Sequence, residues 1–205
     1  MSLGPRPALR VFSRRGFLIG SAGALGALAA GAALWMRGDP EAYRELVREP
    51  DGSLPTPSVL SLKELAVLTA LCDRLAPATP GFPSARELGI ARRIDRELVF
   101  LRGKMHDDVR GALFVFEHGG IAHGSASRFC ALDDEGRDGR LLQMWHGGAL
   151  ERSCVAGMRI LTLFFYYADD RAWSGIGYAG PLVGHRSPPA ADSSALALAA
   201  PRGAP

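Results

Sequence analysis

Three features of the sequence predict an all-α fold, a small bundle of about five helices. Apolar residues recur at three- and four-residue spacing through successive blocks between Leu62 and Ala168. Two of these blocks follow a serine and a glutamate spaced to satisfy each other's backbone amides at a helix start. No stretch alternates with period two for long enough to make a strand. At 205 residues the chain has room for one modest domain plus segments that need not join it.

Residues 1–37 read as an export signal or anchor, outside the fold proper. Ser13-Arg14-Arg15-Gly16-Phe17-Leu18 follows the twin-arginine pattern, with Ser13, Arg14, Arg15, Phe17 and Leu18 at its defining positions. An uncharged run from Gly16 to Met36 comes next, closed by Arg37. It is rich in Ala and Gly, and therefore less hydrophobic than a stop-transfer helix. Such a leader would engage the twin-arginine translocase and place the chain at the periplasmic face of the bacterial inner membrane. Ala27-Leu28-Ala29 and Ala30-Gly31-Ala32 both satisfy the small-x-small cleavage rule. Removal after Ala29 or Ala32 gives a soluble product, and retention gives an N-terminal anchor; both outcomes remain open.

Residues 38–60 read as a linker holding one short helix, with Pro40 in the first turn and Glu41–Val47 following. Asp51-Gly52 then turns the chain, and Pro55 and Pro57 keep the next stretch extended. The helical domain spans 61–181. Ser61-Leu62-Lys63-Glu64 caps a helix whose apolar face is Leu62, Leu65, Leu68, Leu71, Cys72 and Leu75, ended by Pro77. A second box, Ser84-Ala85-Arg86-Glu87, follows the Pro80–Pro83 turn and predicts a helix continuing through Leu88, Ala91, Ile94, Leu98 and Leu101. Met105, Val109, Ala112, Leu113 and Phe116 mark a third helix, broken at Gly119-Gly120 before a loop over 118–127. Asp133 or Asp134 caps a fourth, reaching about His146. Residues 149–168 form the fifth and most apolar. The tail, 182–205, is dominated by Ala, Pro, Ser and Gly and is expected to be disordered.

Charge narrows the function. Arg6, Arg10, Arg14 and Arg15 give the leader its basic character, while residues 58–180 hold 15 basic and 15 acidic side chains. Without a basic stripe the body is no nucleic-acid binder. Cys72, Cys130 and Cys154 form no CxxC pair, and their odd number leaves at least one thiol without an intramolecular partner. Cys72 lies on an apolar helical face and reads as a small core residue.

The chemical motifs are weak. Gly175-Ile176-Gly177-Tyr178-Ala179-Gly180 spells GxGxxG, but that fingerprint works only between a strand and a helix. Here a helix precedes it and Pro181 follows, so no dinucleotide site is expected. His106, His118, His123 and His146 show no HExxH spacing, and no GxSxG elbow or CxxCH haem site occurs. No catalytic, cofactor-binding or metal-binding set is assigned. The aromatic block from Phe164 to Pro181 stands out instead. Tyr166, Tyr167, Trp173 and Tyr178 are amphipathic anchors of the kind enriched at interfaces, and they could equally close the bundle.

At this block the chain resembles the gluconate 2-dehydrogenase subunit 3 family, the small, gamma-type subunits of membrane-associated sugar dehydrogenases. The likeness rests on three features in order. They are the twin-arginine leader, the run Leu71-Cys72-Asp73-Arg74-Leu75-Ala76-Pro77 through Pro83-Ser84-Ala85, and the ending Tyr166-Tyr167-Ala168-Asp169-Asp170-Arg171-Ala172-Trp173 with Ile176-Gly177-Tyr178-Ala179-Gly180-Pro181. It covers roughly residues 58–181, with 102–140 matching only in helical character. The chain departs from the family in its long Ala/Pro tail and in Asp169-Asp170-Arg171, where a proline is common.

The resemblance implies a non-catalytic subunit. Such proteins bind a large FAD-dependent flavoprotein of the glucose–methanol–choline (GMC) type, assist its folding, and escort it through the twin-arginine pathway. FAD then belongs to the partner, and in several systems haem c belongs to a multihaem cytochrome c third subunit. A membrane-anchored adaptor without a redox partner is the alternative that fits the leader and bundle equally well.

Overall fold

The structure, a computed structural model, describes residues 29–101 and 103–180. The twin-arginine motif and the tail 182–205 lie outside the described residues. Among those described the chain is helical with no strand. A helical stretch over 29–37 leads into six α-helices: α1 (Pro40–Val47), α2 (Leu62–Leu75), α3 (Ile90–Glu97), α4 (Lys104–His118), α5 (Asp134–Trp145) and α6 (Ala149–Tyr167). The predicted all-α class and the sites of most helices agree with this arrangement.

Helix α2 is the hub, packed by each of the other five. Its start is the expected capping box: Ser61 Oγ accepts from the Glu64 amide at 3.2 Å, and Glu64 accepts from the Ser61 amide at 2.7 Å. Leu65, Ala66, Val67, Leu68, Ala70, Leu71 and Cys72 are all buried, so α2 is surrounded on more than one face. Ile90 and Ile94 of α3, Leu113 and Phe116 of α4, and Met144 of α5 fill the space around it. Phe116 meets Phe129 at 6.0 Å between ring centroids.

The segment expected to be a linker joins this core. Asp39 caps α1, Pro40 opens it, and Tyr43 and Val47 point inward. Leu60 is buried as well. The approach to α2 is pinned by Asp95 of α3, whose buried carboxylate accepts from the amides of Ser58, Val59 and Leu60 at 2.6, 3.1 and 2.8 Å. Those three donors satisfy a charge that would otherwise be costly to bury.

The second helix predicted from Ser84 to Leu101 is two pieces. The Ser84–Glu87 box forms, with Glu87 accepting from the Ser84 amide at 2.6 Å and Ser84 Oγ accepting from the Glu87 amide at 3.1 Å. It caps only a turn. Gly89 adopts φ 64°, a left-handed conformation that stops the turn and restarts the chain as α3. Helix α3 then ends at Glu97, and residues 98–100 turn away before Leu101. The expected loop over 118–127 contains a 3₁₀ turn, Gly119–His123.

Candidate subunit interface

Helix α6 has two apolar faces. Val155, Met158, Thr162 and Tyr166 point into the core. Leu150, Gly157, Ile160 and Phe164 fall on another face, and its large side chains stay open: Leu150 is 67% exposed, Ile160 70% and Phe164 67%. Tyr167, three residues beyond Phe164, extends the stripe to the end of the helix and is also exposed. A helix apolar on so much of its circumference is one that belongs under cover.

The open stripe forms one wall of a groove. Helix α4 forms the other with Met105, Val109, Ala112 and Val115, and the cavity between them measures about 690 Å³. Its lining is mostly aliphatic, with Asp107, Asp108 and Ser153 the polar contributors. Gly111 and Gly157 give it smooth edges, because a Cβ built on either meets nothing within 4 Å. A glycine inside a helix costs about 0.5–1 kcal/mol relative to alanine, so Gly157 weakens α6 without relieving any internal clash. Cys154 lines the same groove; burial raises its thiol pKa.

The start of α6 is held by charge. Glu151 accepts from the Gly148 amide at 2.9 Å and pairs with His123 Nε2. The hydrogen bond from His123 is the main reason that the Glu151 carboxyl is held below its usual range. Helix α5 is joined to α2 by Arg74, which bonds Asp134 at 2.8 Å and also contacts Asp138.

The aromatic block after α6 folds back on the body. Tyr166 is buried and its hydroxyl donates to Pro83 O at 2.7 Å, so it closes the bundle rather than facing outward. Trp173 Nε1 donates to Tyr167 O at 2.8 Å, and its ring meets Tyr178 edge-on at 5.1 Å. Phe82 lies so close to Gly175 that any side chain there would overlap its ring. Of the four residues singled out from the sequence, Tyr167 and Tyr178 reach solvent, and Trp173 is half-buried beneath them.

The remaining motifs have structural places. The GxGxxG run occupies a 3₁₀ turn, Ser174–Ile176, followed by Gly177 at φ 66° and an irregular end. His118 is buried against Trp35 and Phe114 with its Nε2 3.0 Å from Lys63 Nζ; burial, then the Lys63 charge, lowers its pKa. His146 caps α5. Among the described residues no three His, Cys, Asp or Glu side chains converge as metal ligands. Cys72 and Cys130 are buried and all three cysteines are free. No described helix is long and apolar enough to cross a membrane.

Sequence reasoning singled out the aromatic residues around the end of α6 and did not single out the groove. The signal was present as a second apolar stripe at spacings of seven, three and four on 149–168.

No curated protein and no solved structure matches the chain. The family model described as "Gluconate 2-dehydrogenase subunit 3" matches residues 63–180, more than half of the sequence. That span takes in α2 through α6, both walls of the groove and the aromatic end. The chain belongs to the gluconate 2-dehydrogenase subunit 3 family, the family of an accessory subunit of a dehydrogenase complex.

Proposed function

We propose that this chain is the non-catalytic small subunit of a GMC-type, FAD-dependent alcohol or sugar dehydrogenase, acting as its folding chaperone and twin-arginine export escort. The large flavoprotein covers the groove between α4 and α6. Its FAD carries the redox chemistry, and a multihaem cytochrome c takes the electrons where a third subunit is present. The assembled pair works at the periplasmic face of the inner membrane, to which the leader delivers it.

The observation that carries this reading is the open apolar stripe of α6. Burying Leu150, Ile160 and Phe164 offers about 1.5–3 kcal/mol each. Association costs about 4–15 kcal/mol in lost freedom, so these three alone give no tight complex. Tyr167 at the end of α6 and the Trp173–Tyr178 pair just beyond it supply the additional anchors. By linkage, a partner that binds only the folded subunit also stabilises it.

Coexpression of the tagged chain with its neighbouring open reading frames tests the reading. A large yellow polypeptide should copurify, and Arg14→Lys with Arg15→Lys should hold the pair in the cytoplasm. A lone, monodisperse chain with no flavin partner would refute the subunit role and leave the adaptor. Export of the pair despite both substitutions would refute the escort role alone.

A further inference from the structure

The chain just ahead of α1 is fastened to the body by contacts that lie outside the α4–α6 groove. Residues 29–37 are helical, and the last carbonyls of such a helix have no partner within it. Two of them are met by cations from the body. Arg128 Nη1 donates to Trp35 O at 3.1 Å, and Lys63 Nζ donates to Met36 O at 2.5 Å. Positive charge at a helix C-terminus also opposes the negative end of its dipole. Trp35 adds a third bond, from Nε1 to Ala126 O at 2.9 Å, and its ring lies 5.0 Å from that of His118.

The site that receives this turn is built on the core. Lys63 lies over the Tyr43 ring and touches His118. The Tyr43 hydroxyl donates to Glu117 at 2.6 Å, and Glu117, 1% exposed, also accepts from the Cys130 amide at 3.1 Å. Gly38 follows the docked turn at φ 79°, where a side chain would overlap both the Tyr43 hydroxyl and Arg128. The contacts come from α2, from the loop over 124–128 and from His118 at the end of α4, so they converge only once the body has folded.

We propose that this surface is a docking site for the segment 33–38, which fixes where the chain ahead of α1 leaves the body and does so only once the body has folded. Both candidate cleavage points, after Ala29 and after Ala32, lie on the N-terminal side of the docked turn. The turn therefore stays on the body whether or not the leader is removed. This inference concerns contacts within one chain and stands or falls independently of the dehydrogenase partner and of export.

Limited trypsin digestion of the full chain, followed by mass spectrometry, reads it at the Arg37–Gly38 bond. Cleavage of a folded segment requires local opening, so Trp35→Ala should raise the cutting rate at that bond about tenfold. Cutting at Arg74 and Arg140 reports the state of the body and should not change. Equal rates at Arg37 in wild type and Trp35→Ala would overturn the proposal. If Trp35→Ala accelerates cutting everywhere, Arg128→Gln decides: among the described residues its side chain hydrogen-bonds only the docked turn. Selective acceleration at Arg37 then supports the docking site, and unchanged cutting there overturns it.

Discussion

Helices α2 and α6 are both rich in large apolar residues, yet the fold uses them differently. Every apolar position from Leu65 to Cys72 of α2 is buried by the chain itself. Helix α6 buries Val155, Met158 and Tyr166 but leaves Leu150, Ile160 and Phe164 in solvent. The hydrophobicity of a helix therefore says how much surface wants cover, while the tertiary structure says how much of that cover the chain supplies. Over that stretch of α2 the supply is complete. In α6 the deficit is an open groove, the surface proposed above for the partner subunit.

The sharpest way to break the contrast is to truncate one residue on each helix. Leu68→Ala should lose about 2–5 kcal/mol of stability in urea denaturation, because the cavity it leaves is enclosed on all sides. Ile160→Ala should stay within about 0.5 kcal/mol of wild type in the same experiment. A loss from Ile160→Ala as large as that from Leu68→Ala would mean that the stripe is core.

Tyr166→Phe probes the boundary between the two regimes. Removing its bond to Pro83 O should cost about 0.5–1.5 kcal/mol, measured as a lower thermal midpoint. Gly157→Ala should act in the opposite direction, stabilising the isolated subunit by about 0.5–1 kcal/mol while weakening copurification of a partner that packs against the glycine. Opposite signs from one substitution would separate an interface glycine from a structural one.

The thiols give the mildest probe. Burial pushes the Cys72 thiol up to about 12 and raises that of Cys130 as well, so neither offers appreciable thiolate at pH 8. Cys154 is also raised but is partly exposed in the groove, and it should react first with a thiol reagent. Docking of the partner should slow that reaction.

Much of this was legible before the structure. The Ser61–Glu64 box, the Asp133 cap and the glycine break after His118 are local signals, and each marks an observed helix boundary. The Ser84–Glu87 box was legible as a cap, but Gly89 overrode the helical periodicity beyond it. Tertiary pairings were not legible. Nothing local indicates that Asp95 will hold three amides of residues 58–60, or that Tyr43, in an expected linker, will find Glu117 across 74 residues. The candidate surface was half legible. The aromatic residues drew notice by type, whereas Tyr166 turned inward because Pro83 O lay within reach.

The most direct measurement is copurification of the large flavin-containing subunit with wild type, Ile160→Glu and Phe164→Glu, alongside their unfolding midpoints. A carboxylate in the groove would have to be desolvated on docking, so recovery of the partner should fall at least about tenfold. Both side chains face solvent in the isolated subunit, so its unfolding midpoint should hardly move. Full recovery of the partner with both variants would show that it docks elsewhere and would contradict the assignment of the α4–α6 groove.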